Sequence, residues 1–310
     1  MAAKKGAAKK GAAKGAPDDA EDELPRRRAC GAMAAHMLLL EKYPAFRARQ
    51  FKLEADTQRQ RTRALSVTDF PIARIKVVVN VVYRTAAQNI SDAQIESQIK
   101  VLNQDFRAAN ADRSKAPTPW KGLVSDTRVE FALQKVTRTQ TTRASFGVDD
   151  AVKKSSGGGV PPLTPKKFLN LWVCALGGGL LGYAQFPGGP AATDGVVINY
   201  RAFGTNGTAA SPFNKGRTAT HEIGHFFNLR HIWGDTEDCS GSDLVADTPN
   251  AAGPNYGTPT FPKVSCNNGP NGDMFMNYMD YVDDAAMFLF TTQQVVRMRT
   301  ALSGPRRGLW

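Results

Sequence analysis

With 310 residues, 42% of them hydrophobic and 9% aromatic, the chain has the composition of a globular protein with a real core. It holds no apolar run of the roughly 18 residues that a membrane-spanning helix needs, so no membrane span is expected. The net charge of +12 is uneven, +7 over residues 1–66 and +5 over the rest, so it says little about what the main domain binds.

In chain order, residues 1–17 form a Lys/Ala/Gly tail that cannot bury enough apolar surface to fold. The tail reads as a solvated leader, with a nucleic-acid tether as the alternative. Asp18 to Glu23 add an acidic patch, and the stretch from Met1 lacks the apolar centre of a signal peptide. Ala32–Arg49 shows helical periodicity, with Met33, Met37, Leu40 and Tyr43 on one face. The polar, Arg-dotted stretch Gln58–Ala64 reads as a linker. It divides a leader at 1–25 and a short segment at 26–66 from a main domain at 67–310.

Ile75–Tyr83 is β-branched almost throughout and reads as a central strand. Ser91 starts a helix, forming a capping box with Gln94 ahead of the stripe Ile95, Ile99, Leu102 and Phe106. Further strands are expected at Val129–Leu133, Leu169–Leu176 and Val196–Tyr200, and helices at about Lys215–Leu229 and Thr292–Leu302. Strands mixed with a few helices, without a regular βαβ repeat, give an α/β (α+β) fold with a mixed sheet. Of the four cysteines, Cys174 sits in an apolar run and reads as a buried strand thiol. Cys239 and Cys266 lie in loop-like sequence, and Cys30 stands in the arginine-rich Arg26-Arg-Arg-Ala-Cys-Gly31.

Residues 221–231 read His-Glu-Ile-Gly-His-Phe-Phe-Asn-Leu-Arg-His. His221 and His225, one helical turn apart, project from the same face, where two imidazoles bind one zinc ion. Glu222 is offset around the helix and reaches a water on the metal without binding the metal itself. His231 returns as third ligand once the helix has ended. The chain has four histidines, three of them in this stretch, which disfavours a chance pattern.

The motif is similar to the metzincin signature, which calls for a Met-containing turn downstream; Asn277-Tyr-Met-Asp-Tyr281 matches, with Met279 under the metal. Leu181-Gly-Tyr-Ala-Gln-Phe-Pro187, Gly195-Val-Val-Ile-Asn199 and Leu229-Arg-His-Ile-Trp-Gly-Asp235 narrow the resemblance to the pappalysin family, over roughly residues 70 to 302. The resemblance implies a twisted mixed sheet, a long active-site helix and a mostly helical or irregular lower subdomain. It implies a zinc endopeptidase acting on proteins or peptides, with Glu222 as general base and Tyr281 near the metal. Asn228 replaces the pattern's Gly at a left-handed helix end, where Asn is the next most tolerated residue. Cys239 and Cys266 correspond to one family disulfide, while Thr258 and Ala286 replace both partners of another.

Three finer expectations come from the same resemblance. Asp284 corresponds to the wall of the pocket for the residue after the cut, where a carboxylate favours Arg or Lys; a solvated loop carboxylate is the other reading. Asp243, Val245 and Thr248 resemble a calcium-binding segment, although such residues also build turns. Cys30 resembles a cysteine switch, a fourth zinc ligand in a latent form, which makes residues 26–66 propeptide-like with cuts before Arg59, Arg61 or Arg63. An exported enzyme follows, despite the missing signal peptide. A nucleic-acid-associated scaffold is the competing class, disfavoured by the near-neutral main domain and the intact Glu222; a zinc protease with a downstream Glu ligand is disfavoured by His231.

Overall fold

The computed structural model describes residues 24–61 and 66–310. The basic tail, the acidic patch and Arg63 lie outside the described residues. Five strands form one sheet in the order β2-β1-β3-β5-β4. They are β1 (Ala73–Tyr83), β2 (Val129–Gln140), β3 (Leu169–Cys174), β4 (Gly182–Ala184) and β5 (Val196–Asn199). All neighbours run parallel except the edge strand β4, which is antiparallel to β5. The central strands β1, β3 and β5 are mostly apolar because both their faces are covered, whereas the edge strand β2 is polar and largely exposed beyond Phe131. Ile75, Val77, Val79, Leu171, Val173, Val196 and Ile198 face the main core, and Trp172, Cys174 and Val197 face a second layer with Phe146 and Val152. Burial pushes the Cys174 thiol well above its ordinary pKa.

Helix α3 (Asp92–Phe106) packs on β2 and on the helix that carries the histidines. Ser91 caps α3 by accepting from the Gln94 backbone N–H, but the expected return bond is absent. The Gln94 side chain is instead buried and donates to the carbonyls of Tyr200 and Phe203. A short helix, α4 (Thr118–Lys121), leads to β2. Helix α5 (Arg217–Phe226) is shorter than the expected Lys215–Leu229, because Gly216 at its start and Asn228 just beyond its end take left-handed backbone angles. Residues 227–291 contain no regular helix or strand, and α6 (Thr292–Ser303) follows with a complete Thr291/Gln294 capping box.

The single helix expected over Ala32–Arg49 is two helices, α1 (Ala32–Lys42) and α2 (Pro44–Arg61). The break falls at Tyr43, because the proline ring drives the residue before it into extended geometry and itself suits a first helical turn. Of the expected stripe, Met33 and Leu40 are half-buried and pack on the cluster of Ala32, Phe46 and Phe186, whereas Met37 and Tyr43 face outward. Ala32, Ala35 and His36 are buried, whereas Met37 is 60% exposed. The expected linker at Gln58 onward is also helical as far as Arg61.

Candidate active site

His221, Glu222 and His225 lie on α5, which packs against β4 and β5, and His231 follows beyond the helix end. His221 Nδ1 donates to the carbonyl of Tyr278 at 2.7 Å, and His225 Nδ1 donates to that of Leu229 at 2.8 Å. Carbonyls only accept, so both rings carry their proton on Nδ1 and turn Nε2 inward as a bare lone pair. His231 Nδ1 meets Asp235 at 2.5 Å. The three Nε2 atoms converge, His225 standing 3.2 Å from His221 and 3.1 Å from His231. Tetrahedral ligands at 2.0–2.1 Å from one zinc ion stand about 3.3 Å apart, so this donor set fits that ion. Burial, followed by the neighbouring histidines, holds the pKa values of His221 and His225 well below the ordinary value, which leaves neutral ligands.

The fourth donor comes from the N-terminal segment. Cys30 Sγ and the three histidine nitrogens lie within 4.8 Å of one another, and among the described residues this is the metal-capable cluster. Cys30 Sγ–H donates to Glu222 Oε2 at 3.4 Å, and the Ala32 N–H donates to the sulfur at 3.3 Å. Residues 29–31 add to the sheet edge beside β4, Leu181 N–H donating to the Ala29 carbonyl and Gly31 N–H to the Gly182 carbonyl. Glu222 is thereby sealed, and its pKa is pushed up to about 8 by burial, with the Cys30 hydrogen bond and Arg28 opposing. Burial and then Glu222 drive the Cys30 thiol up. The nearby arginines do not offset this, and a cation among the histidines is what would favour the thiolate.

Two glycines make the site possible. A side chain at Gly182 would come within 2.8 Å of Glu222 Cγ, so only glycine lets the edge strand cross above the carboxylate. At Gly224 a side chain would collide with Met279 Sδ, so the methionine packs directly against α5. Met279 is fully buried. Tyr281 stands with its ring 4.8 Å from that of His231 and 5.8 Å from that of His221, and its hydroxyl donates to the Cys30 carbonyl at 3.5 Å. Trp233 stacks flat on His231 at 4.4 Å.

Asp284 is buried rather than solvated. Its Oδ2 accepts from the Lys215 and Arg217 backbone N–H groups at the start of α5, supplying the cap that Gly216 lacks. Its Oδ1 accepts from Arg28 Nη2 at 2.6 Å. Arg28 also donates from Nε to the Val282 carbonyl and from Nη1 to Thr218 Oγ1 and lies over the Phe213 ring, so each of its three guanidinium nitrogens has an acceptor in the pocket. In the loop that follows α5, Asp243 accepts from Val245 N–H and Thr248 Oγ1, and Thr248 Oγ1 is 3.0 Å from the Val245 carbonyl. Burial raises the Asp243 carboxyl to about 7. Cys239 and Cys266 form a disulfide.

The profile of the M43 peptidase family, described as pregnancy-associated plasma protein-A, matches residues 163–303. An extracellular metalloprotease of Arthroderma otae is 33% identical over 226 residues, 71% of this chain and 74% of that protein. The extracellular metalloprotease of Pyricularia oryzae is 35% identical over 231 residues, covering 72% and 71%. The chain belongs to the pappalysin family of metalloendopeptidases. Among solved structures, mature mirolysin of Tannerella forsythia in complex with a cleaved peptide shares 50% identity and a TM-score of 0.75, covering 77% of this chain and 96% of that one. A promirolysin mutant shares 44% identity and a TM-score of 0.80 over 91% and 97%. The mixed α/β sheet with its antiparallel edge is the fold of these proteases.

Sequence reasoning passed over several residues that the structure brings to the site. Arg28 was seen only as part of an arginine run, although its neighbour two positions on is Cys30. Gly182 and Gly224 stood inside quoted motifs without a role. Asp235, the partner of His231, ended one such motif, and its offset of four from a ligand was the available signal.

Proposed function

We propose that this metalloendopeptidase is a zinc enzyme of the extracellular space, made latent, that cuts before Arg or Lys. The observation that carries the reading is the seating of the segment at residues 28–30, which puts a guanidinium on Asp284 and a thiol against three histidines and Glu222. Those are the two positions that a substrate side chain and an attacking water would need, so one short strand excludes both. The extracellular placement rests on the relatives' names and on the disulfide.

His221, His225 and His231 would hold the zinc, which would acidify water and polarise a carbonyl there. Glu222 Oε2 takes the proton of the attacking water and returns it to the leaving amine. Its high pKa under the strand belongs to the closed form; with the strand gone, water reaches the carboxylate and restores its basic form. Tyr281 O–H, freed from the Cys30 carbonyl, is left to donate to the oxygen of the tetrahedral intermediate. Asp284 receives the side chain after the cut, and Arg suits it better than Lys because Val282, Thr218 and Phe213 complete a planar fork. Maturation cuts before Arg59 or Arg61 fall in the last turn of α2, so that turn must unwind first. Three oxygens of Asp243, Val245 and Thr248 converge, with a carboxyl raised by burial, and they supply part of a calcium site.

The test is digestion of a protein substrate with and without a zinc chelator, followed by sequencing of the new N-termini. Activity lost on chelation, a drop of at least about 100-fold in Glu222→Ala, and N-termini beginning with Arg or Lys are expected. Cleavage that survives Glu222→Ala sinks the mechanism, and N-termini without basic residues sink the role of Asp284. In a parallel melting arm, calcium raises the midpoint and Asp243→Asn removes the gain; an equal gain in the variant refutes the calcium site.

A further inference from the structure

The N-terminal segment places two consecutive cations in two different sites, and the function above uses only one. Arg28 fills the Asp284 pocket. Arg27, the next residue outward from the histidines, lays its guanidinium over the ring of Tyr256 at 4.9 Å from the centroid. Chain order sets the positions: Cys30 stands among the histidines, Arg28 two residues before it enters the Asp284 pocket, and Arg27 follows outward along the chain. A substrate chain leaving the same centre meets the sites in the same order, the residue after the cut first and the following one second.

Tyr256 is fixed by the catalytic region and not by the cation resting on it. Asn255 before it donates from its backbone and its side chain to the Asp280 carboxylate, each at 2.8 Å. Gly257 after it accepts from the Asp283 N–H at 2.9 Å. Both anchors lie in the segment 280–284 that also carries Tyr281 and Asp284. The ring is therefore held on the stretch that builds the pocket, and it stands 6.1 Å from the Tyr281 ring. It keeps its place when the N-terminal segment leaves. Glu237 lies near enough to act on the Tyr256 hydroxyl and adds negative potential around the ring.

We propose that Tyr256 is a second cation subsite, so that peptides with two consecutive basic residues after the cut are the preferred substrates. The inference rests on the reading of Asp284 as the first of the two sites. An aromatic face over which a guanidinium settles at an exposed site discriminates a cation from a neutral side chain by about two- to fivefold.

The experiment uses the full chain, matured by limited proteolysis until its activity plateaus, with quenched peptides that carry Arg after the cut and then Arg or citrulline. In the parent the Arg peptide has a kcat/KM about two- to fivefold above the citrulline peptide. Tyr256→Leu brings the ratio to about one, and Tyr256→Phe keeps it, because the ring and not the hydroxyl is the contact. Tyr256→Ala repeats the loss with a smaller side chain. A calorimetric titration of the two product peptides gives the same ratios without turnover. A parent ratio near one, or a ratio unchanged in Tyr256→Leu, overturns the proposal. A third peptide with Ala after the cut tests the Asp284 reading alone. If it is cut as fast as the Arg peptide, that reading fails, while the ratio at the second position still judges Tyr256.

Discussion

The N-terminal segment at residues 24–31 and the helical hairpin of α1 and α2 behind it hold the catalytic region by different physics. Along the segment nearly every grip is polar, directional and buried: Arg28 on Asp284, Cys30 against Glu222, two backbone bonds to β4. The hairpin rests on a small apolar cluster of Ala32, Phe46 and Phe186 and leaves Met37, Leu38 and Phe51 largely exposed. Its ion pair is a clamp in which Glu54 takes Arg297 with both oxygens at 2.5 and 2.7 Å and accepts from Asn228, and Gln50 and Arg49 add donors to the Pro187 and Gly188 carbonyls. On the latency proposed above, the N-terminal segment imitates a substrate and competes with one, and the hairpin adds affinity at a distance from the chemistry. If so, damage to the segment should appear in activity and damage to the hairpin in stability.

The largest effect belongs to Arg28. Removing one partner of a buried ion pair leaves the other unpaired, at a cost of about 3–5 kcal/mol. Arg28→Ala in the full-length chain should therefore raise hydrolysis of a peptide substrate by at least about tenfold before any cut in the leader, since each 1.4 kcal/mol is a factor of ten. Arg28→Lys should fall between. If Arg28→Ala stays as silent as the parent while Cys30→Ala opens the enzyme, the thiol alone closes the cleft.

Glu54 comes second. Arg297 is 1% exposed at its side chain, whereas Glu54 is 24% exposed, so the loss is smaller than for a fully buried pair. Burial acts to raise the Glu54 pKa, but the Arg297 pair overcomes it and holds the carboxyl below the ordinary value. A depressed carboxyl stabilises the fold above its unfolded pKa and loses that contribution as pH falls through the folded value. Glu54→Gln should thus cost about 2 kcal/mol at pH 7 and progressively less toward pH 3, read as melting midpoints against the parent. Equal losses at both ends of that range would show that the charge is not what binds the hairpin.

This division also explains what was legible in the sequence. His221, Glu222, His225 and His231 announce themselves because metal chemistry fixes residue type and spacing together. Cys30 and Asp284 were singled out through family likeness, and both lie along the cleft that the N-terminal segment fills. Arg28 was missed because a guanidinium aimed into a distant pocket has no local spacing to betray it. The central strands were readable because burial on both faces leaves no polar alternation, but β4 is three residues long and carries no such run. The hairpin was read only in part, for a physical reason. The fully buried residues of α1 are small or polar, Ala32, Ala35 and His36, so hydrophobicity points to Met33 and Leu40, which pack on the cluster, but equally to exposed Met37. Propensity and periodicity report burial only where burial is large.

His36 offers the smallest of these tests and the one aimed at the hairpin's apolar contact. Its ring packs 4.4 Å from Phe186 and 5.4 Å from Phe46, and Phe186 in turn packs on His225. Burial, with Arg230 beside it, lowers its pKa to about 4, against weaker pulls from Glu54 and Asp235. A histidine whose folded pKa lies below its unfolded value binds its proton more readily when the hairpin is undocked. Lowering the pH from about 6.5 toward 4 therefore favours undocking, and the loss is complete only below the folded value. At pH 5 this amounts to about 1–2 kcal/mol, with nothing lost at pH 7.5. His36→Phe keeps the aromatic packing and removes the titration, so its melting midpoint should exceed the parent's at pH 5 by more than it does at pH 7.5. A difference between the two proteins that does not change with pH would show that His36 is only a packed ring, and that the hairpin's hold does not depend on its protonation.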